Sequence, residues 1–121
     1  MKKVLFSVMM LLSAGVVSAA KVSENMVDDA KRYDMSVNMQ SLSNTLALNQ
    51  EQRESVEYIH GIFCYDMRRA AKATGAKRAE RMEKAILRDL KGMHYVLTEE
   101  QYRKYLLLLN VTFNNRGIEV K

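Results

Sequence analysis

Leu97-Thr98-Glu99-Glu100-Gln101-Tyr102-Arg103 is the stretch that decides the fold, because it has the form of a helix start. The hydroxyl of Thr98 can cap the first turn, and Gln101 can reach back three positions to complete a capping box. Leu97 and Tyr102 have the spacing of a hydrophobic staple, and two glutamates place negative charge at the positive end of the helix dipole. The stretch therefore predicts a helix that runs to about residue 114.

A second stretch, Leu48-Asn49-Gln50-Glu51-Gln52-Arg53, repeats this form with Asn49 as the cap and Gln52 three positions later. The chain has no proline and is rich in residues that favour helices. We therefore expect an all-α fold, a small bundle of about four helices arranged as two helical hairpins, over residues 35–121.

Apolar residues spaced by three and four predict two long helices before the last one. The first spans residues 50–73 and the second spans residues 77–95, with Gly75 as the stop between them. One long bent helix is the alternative to this hairpin. Gly61 interrupts the first pattern, which suggests the close approach of another helix. A short helix over residues 41–47 precedes both.

Four consecutive leucines occupy residues 106–109 of the last helix. Leu106 and Leu109 fall on one face, whereas Tyr105 and Leu108 form a second apolar face. A helix that is apolar on most sides needs burial on most sides, which a small domain can hardly supply. We therefore expect Tyr105, Leu107 and Leu108 to contribute to an interaction surface, through which the protein self-associates as a homodimer.

Residues 1–20 have the form of a secretory signal peptide. Lys2 and Lys3 precede an almost wholly apolar run over residues 4–17, and small residues allow cleavage near Ala19 or Ala20. This run is shorter than the roughly 20 residues of a membrane span. Residues 21–34 are polar and are expected to form a flexible N-terminal arm. We expect a periplasmic or secreted protein with no membrane span.

The remaining composition limits the partners. The chain of 121 residues carries a net charge of +5, and removal of Lys2 and Lys3 leaves +3, which does not favour nucleic-acid binding. A basic cluster lies around Gly75 and is a candidate for attracting acidic segments of unfolded clients or anionic lipid, although a solvated turn is the simpler interpretation. Its candidate interaction residues are Arg68, Arg69, Lys72, Arg78 and Arg81.

The methionines suggest two environments. Met67, Met82 and Met93 have core spacing, whereas Met35 and Met39 lie near the arm and are candidates for an adaptable surface.

His60 and the single cysteine, Cys64, lie four residues apart on one helix face, which is half of a metal site. A half-exposed histidine beside a buried thiol is the simpler interpretation, and a disulfide between chains is an alternative. We find no motif for a nucleophile, a metalloprotease or a phosphate loop, so we expect no enzyme activity and no cofactor.

The two helix entrances resemble the paired Leu-Thr-x-x-Gln motif of the Spy/CpxP family of periplasmic proteins. Leu97, Thr98 and Gln101 match the motif, and Leu48 and Gln52 match its other copy, with Asn49 in place of threonine. The resemblance implies long helices in a curved antiparallel dimer and an ATP-independent chaperone or stress modulator of the envelope.

Three functions are therefore expected from the sequence. The first is a chaperone-like binding protein that holds exposed apolar segments of unfolded or envelope proteins. The second is a metal-responsive envelope stress protein that uses His60 and Cys64. The third is a structural or regulatory partner of one fixed envelope protein.

Overall fold

The computed structural model describes residues 29–119. Residues 29–32 are helical, and four further helices follow: α1 Met39–Leu46, α2 Gln50–Ala71, α3 Gly75–Val96 and α4 Glu99–Arg116. Residues 29–119 contain no strand, so the expected all-α fold is confirmed. No helix among them combines the length and apolar character needed to cross a bilayer. The expected signal peptide and residues 21–28 of the expected arm lie outside the described residues.

The turn between α2 and α3 makes these two helices a hairpin and rules out one long bent helix. Helix α2 ends at Ala71, and Thr74 has extended backbone angles before α3 begins. Gly75, expected as a helix stop, is instead the first residue of α3, with a left-handed φ of +57°. Arg78 donates hydrogen bonds to the carbonyls of Ala71 and Ala73, at 2.9 Å each, and so satisfies the free end of α2.

One hydrophobic core joins the four helices. The three methionines expected in the core, Met67, Met82 and Met93, are all buried. They pack together with apolar side chains from every helix, including Leu42, Leu46, Val56, Phe63, Ile86, Tyr105, Leu109 and Phe113.

Met35 and Met39 do not form the expected adaptable surface. Met35 is only 2% exposed, and Met39 is half-buried against the core. Residues 34–38 have no regular structure, but His60 of α2 holds this segment in place. Its Nε2–H donates to the carbonyl of Met35 at 2.7 Å.

Residues 29–34, which we expected within the flexible arm, instead pack on the bundle. Asp29 and Tyr33 are buried. The carboxylate of Asp29 forms ion pairs with Arg32 and Arg78, both at 2.7 Å. Arg116, at the end of α4, donates to the backbone carbonyls of residues 31, 32 and 34. The segment is thereby tied both to the α2–α3 turn and to the end of α4.

The close helix approach lies at Gly92 and not at Gly61. A Cβ atom added at Gly92 would meet the Ile59 side chain at 3.2 Å, so α2 and α3 touch there. A Cβ atom at Gly61 would meet no atom of the described residues within 4 Å. The expectation for Gly61 is therefore wrong, because this glycine lies on the exposed side of α2.

The same substitution at these two glycines is expected to have opposite effects on stability. Gly61→Gln should raise the free energy of unfolding by up to about 1 kcal/mol, because glutamine favours helix and the site is open. Gly92→Gln should lower it by about 1–3 kcal/mol, because the larger side chain must displace Ile59. Urea denaturation of both variants measures this. Equal effects would contradict the close approach of α2 and α3 at Gly92.

Candidate functional site

Both helix entrances form complete capping boxes, as the sequence predicts. The N–H of Gln52 donates to Asn49 Oδ1 at 2.7 Å, and the N–H of Asn49 donates to Gln52 Oε1 at 3.1 Å. The N–H of Gln101 donates to Thr98 Oγ1 at 3.1 Å, and the N–H of Thr98 donates to Gln101 Oε1 at 2.9 Å. An amide and a hydroxyl serve equally well here because the cap needs only an acceptor oxygen.

The two entrances also meet each other, which the sequence does not predict. Gln52 Nε2 donates to Gln101 Oε1 at 2.8 Å, and Gln101 Nε2 donates to Gln52 Oε1 at 3.2 Å. Each glutamine therefore caps its own helix and binds the other glutamine. We call this pair of side chains the glutamine tie.

The glutamine tie is close to two-fold symmetric. Gln52 Nε2 also donates to the carbonyl of Val96, which lies just before the second entrance, at 3.2 Å. Gln101 Nε2 donates to the carbonyl of Ala47, the equivalent position before the first entrance, at 3.2 Å. The motif residues Leu48 and Leu97 flank the tie, Leu97 buried and Leu48 half-buried. The start of α2, the start of α4 and the two preceding chain segments are thus held at one point.

A buried acid anchors the middle of α4. The hydroxyl of Tyr105 donates to Asp89 Oδ2 of α3, and Asp89 is only 2% exposed. The other carboxylate oxygen of Asp89 has no hydrogen-bond partner among residues 29–119. Burial raises the pKa of Asp89 to about 7, although the hydrogen bond from Tyr105 opposes this change. Burial likewise raises the pKa of Tyr105 well above its usual value.

Tyr105 is therefore not part of an interaction surface, contrary to expectation. Its ring belongs to the core with Leu109 and Phe113, and only 3% of it is exposed. The sequence suggested a second apolar face because the run of four leucines surrounds α4 with apolar residues. The face of α4 that carries Tyr105, the hydrogen-bond partner of Asp89, is the buried face.

The outward side of α4 carries an exposed apolar stripe, as expected for part of the leucine run. Leu107 is 66% exposed, Leu108 is 37% exposed and Val111 is 53% exposed. Leu107 and Val111 lie one turn apart with Leu108 beside them, so the three side chains form one patch. We call this patch the α4 stripe.

The basic cluster is only partly available for contacts. Arg68, Arg69 and Lys72 are exposed. The expected role of Arg78 is not supported, since its guanidinium binds Asp29 and two backbone carbonyls and its side chain is 20% exposed. Arg81 is half-buried and donates to the carbonyl of Arg69 at 3.3 Å. These cations lie around the α2–α3 turn and do not share a helix with the α4 stripe.

His60 and Cys64 are both buried on α2 and are 8% exposed each. A carbonyl oxygen only accepts, so His60 donates its Nε2–H to Met35. Its Nδ1 is then an acceptor, and it has no hydrogen-bond partner in the part of the chain that the structure describes. Burial lowers the pKa of His60 and raises the pKa of Cys64. No three metal-ligating side chains gather within residues 29–119. Because both groups face the core, a second copy could not reach them to complete a site.

A small apolar cleft of about 120 Å³ lies between α2 and α3. Its walls include the apolar side chains of Ile59, Ile62 and Phe63 and the charged side chains of Asp66 and Arg88. Asp66 and Arg88 pair with each other at 3.3 Å, so the surface that the cleft offers is mainly apolar.

Asp89 and Gly92 are the residues that the sequence analysis missed. Asp89 lies between Ile86 and Met93 at core spacing, and an acid within an apolar stripe is a signal of a buried polar contact. Gly92 has no such signal, because only the three-dimensional position of Ile59 reveals its role.

The chain matches none of the protein-family models, curated proteins or solved structures with which it was compared. The resemblance to the Spy/CpxP family therefore rests on the motif residues alone.

Removal of one half of the glutamine tie is expected to destabilise the whole bundle. Gln101→Ala should lower the free energy of unfolding by about 1–3 kcal/mol, because backbone groups at both entrances lose partners. Gln52→Ala with Gln101→Ala should be less harmful than the sum of the single changes, by roughly 1 kcal/mol. Denaturation of the single and double variants measures this. Gln50→Ala is the control, because Gln50 lies in the same helical turn as Gln52 but is exposed. If the effects of Gln52→Ala and Gln101→Ala were strictly additive, the glutamine tie would be contradicted.

Asp89 is expected to make stability depend on pH. Its pKa is about 7 in the fold against 3.8 for an ordinary aspartate, so its neutral form favours folding. This contribution is complete below about pH 3.8 and is lost as the pH rises through about 7. Asp89→Asn keeps an acceptor for Tyr105 and removes the charge.

The variant should therefore gain stability relative to the natural chain between pH 5 and pH 8, by up to roughly 4 kcal/mol. The measurement is the free energy of unfolding of both proteins across this range. Asp66→Asn is the control, because that carboxylate is paired with Arg88 at the edge of the hairpin. Parallel curves for Asp89→Asn and the natural chain would contradict the buried-acid assignment.

Proposed function

We propose that this protein is a small, non-enzymatic binding protein of the bacterial envelope that holds exposed apolar segments of other proteins without nucleotide. The observation that carries the proposal is the α4 stripe. Leu107, Leu108 and Val111 stay exposed although the opposite side of the same helix is fully packed. Contiguous apolar surface on a small domain is a mark of an interaction site.

The chemistry of the α4 stripe suits varied clients. Leucine and valine offer apolar area without hydrogen-bond donors or acceptors, so they impose no fixed register on the segment they bind. Burial of apolar surface contributes roughly 25 cal/mol per Å², and this attraction is non-directional. A segment exposed by unfolding provides such surface, whereas a folded protein has covered most of its own.

The location in the envelope is part of the same proposal. It is supported by the signal-peptide form of residues 1–20 and by the family resemblance of the two entrances. Both supports come from the sequence. A protein outside the cytosol has little access to ATP, which agrees with the lack of any phosphate-binding loop motif in the chain.

One fixed partner for the α4 stripe is the alternative to many clients. A pull-down distinguishes the two hypotheses. One fixed partner would be recovered in an amount equal to that of this protein, whereas a chaperone-like protein would recover many different partners. The metal-responsive alternative receives no support from the positions of His60 and Cys64, which are both buried.

Polar substitution of the α4 stripe is expected to abolish client binding without unfolding the protein. The variant carries Leu107→Gln, Leu108→Gln and Val111→Gln, and its stability should change little because these side chains are exposed. About tenfold more variant should be needed to suppress aggregation of a heat-unfolded client, because the apolar contact area is lost. Light scattering of the client measures this.

The matched control carries Val37→Gln and Leu87→Gln, which are exposed apolar residues that do not belong to α4. It should suppress aggregation as well as the natural chain does. The proposal would be overturned by a natural chain that fails to suppress aggregation at equimolar amounts, or by a stripe variant that still suppresses it fully.

A further inference from the structure

The cleft between α2 and α3 has one wall residue that the fold does not fully explain. Asp89 of α3 lines this cleft together with apolar side chains that include Ile59, Ile62, Phe63 and Ala85. Asp89 is only 2% exposed, and its Oδ1 atom has no hydrogen-bond partner among residues 29–119. A buried acceptor without a partner costs stability, so a molecule that supplies the missing donor gains a contact that the chain itself does not make.

The structural role of Asp89 needs no charge. The hydroxyl of Tyr105 donates to Oδ2, and the amide oxygen of an asparagine would accept this hydrogen bond equally well. A carboxyl group in this place costs stability when it ionises, because burial raises the pKa of Asp89 to about 7. The contact between α3 and α4 therefore accounts for one oxygen of Asp89 and leaves the other oxygen and the charge without a purpose in the fold.

The charges on the walls of the cleft do not cancel. Asp66 and Arg88, which also line it, pair with each other at 3.3 Å. No cation in the part of the chain that the structure describes lies within ion-pair distance of Asp89. An ionised Asp89 therefore gives the walls an excess of one negative charge.

The cleft has the volume of a small apolar molecule. It measures about 120 Å³, and a cavity of roughly 150 Å³ with comparable apolar walls holds benzene. Water is a poor occupant, because an ordered water molecule needs about two to four polar partners and these walls are mainly apolar. The side chain of Arg88 is 65% exposed, so the cleft reaches the protein surface and a small molecule can enter it.

We propose that this cleft binds a small protonated amine with a compact apolar body of about five or six carbon atoms. The ammonium group donates a hydrogen bond to Asp89 Oδ1 and balances its charge, while the apolar body packs against Ile59, Ile62 and Phe63. An anionic ligand would place like charges together inside the fold, and a neutral ligand would leave the carboxylate unbalanced. The site is independent of the α4 stripe, because no residue of the stripe lines the cleft.

Binding at this site depends on pH through Asp89. The other titratable groups that interact with its charge are Cys64 of α2 and Tyr102 and Tyr105 of α4, and burial raises the pKa of each, which keeps all three neutral near pH 7. An alkyl ammonium group also keeps its proton in this range. Asp89 ionises as the pH rises through its pKa of about 7, so the amine should bind about tenfold more tightly at pH 8 than at pH 6.

NMR titration of the purified protein tests the proposal, with the methyl groups of Ile59 and Ile62 as reporters of the cleft. The probes are isopentylamine, isopentyl alcohol and isovalerate, which share one branched apolar body and differ in the polar group. The amine should shift both methyl resonances saturably. At pH 8 it should bind at least about tenfold more tightly than the alcohol, because a hydrogen bond between charged groups is the stronger one, and isovalerate should not bind.

Asp89→Asn separates recognition of the charge from the apolar fit. This variant should bind isopentylamine and isopentyl alcohol with similar affinity and without dependence on pH. The control is Glu83→Gln, which removes the same charge from an exposed position of α3 outside the cleft and should bind as the natural chain does.

The probe series and the pH profile of the natural chain need no variant, so they test the site whether or not Asp89→Asn folds. The proposal is overturned if the natural chain binds none of the three probes, or if the alcohol or isovalerate binds as tightly as the amine. It is also overturned if folded Asp89→Asn still prefers the amine.

Discussion

The exchange of hydrogen bonds between the amides of Gln52 and Gln101 is the constraint on which the rest of the structure depends. A neutral amide has two donor hydrogens and an acceptor oxygen, so each glutamine can cap its own helix and still bind the other. Two carboxylates would offer only acceptors and would repel each other. Because the tie joins the starts of α2 and α4, neither helix can slide along the other.

The three contacts that position α4 all lie on its inward side. The glutamine tie holds its start, Tyr105 and Asp89 hold its middle, and Arg116 holds its end against residues 31–34. No helix in the described part of the chain covers the opposite side. A domain of this size buries only about two thirds of its unfolded surface, so it has no further layer to place there. The exposed α4 stripe therefore follows from how α4 is attached.

Local chemistry explains which parts of this fold the sequence predicts. The capping boxes and the long helices follow from neighbours within a few residues, so Asn49, Thr98 and the ends of α2 could be placed closely. The contacts between distant segments could not. Nothing in the spacing brings Gln52 to Gln101, His60 to Met35, or Arg78 to Asp29.

The orientation of α4 was the hardest feature to predict. Four adjacent leucines give a helix no clear apolar side, so periodicity alone could not separate Leu109, which is buried, from Leu107, which is exposed. The decisive residue is the acid on the facing helix. Asp89 needs a donor inside the core, and Tyr105 is the residue of α4 that supplies one. A polar contact thus chooses which apolar side is buried.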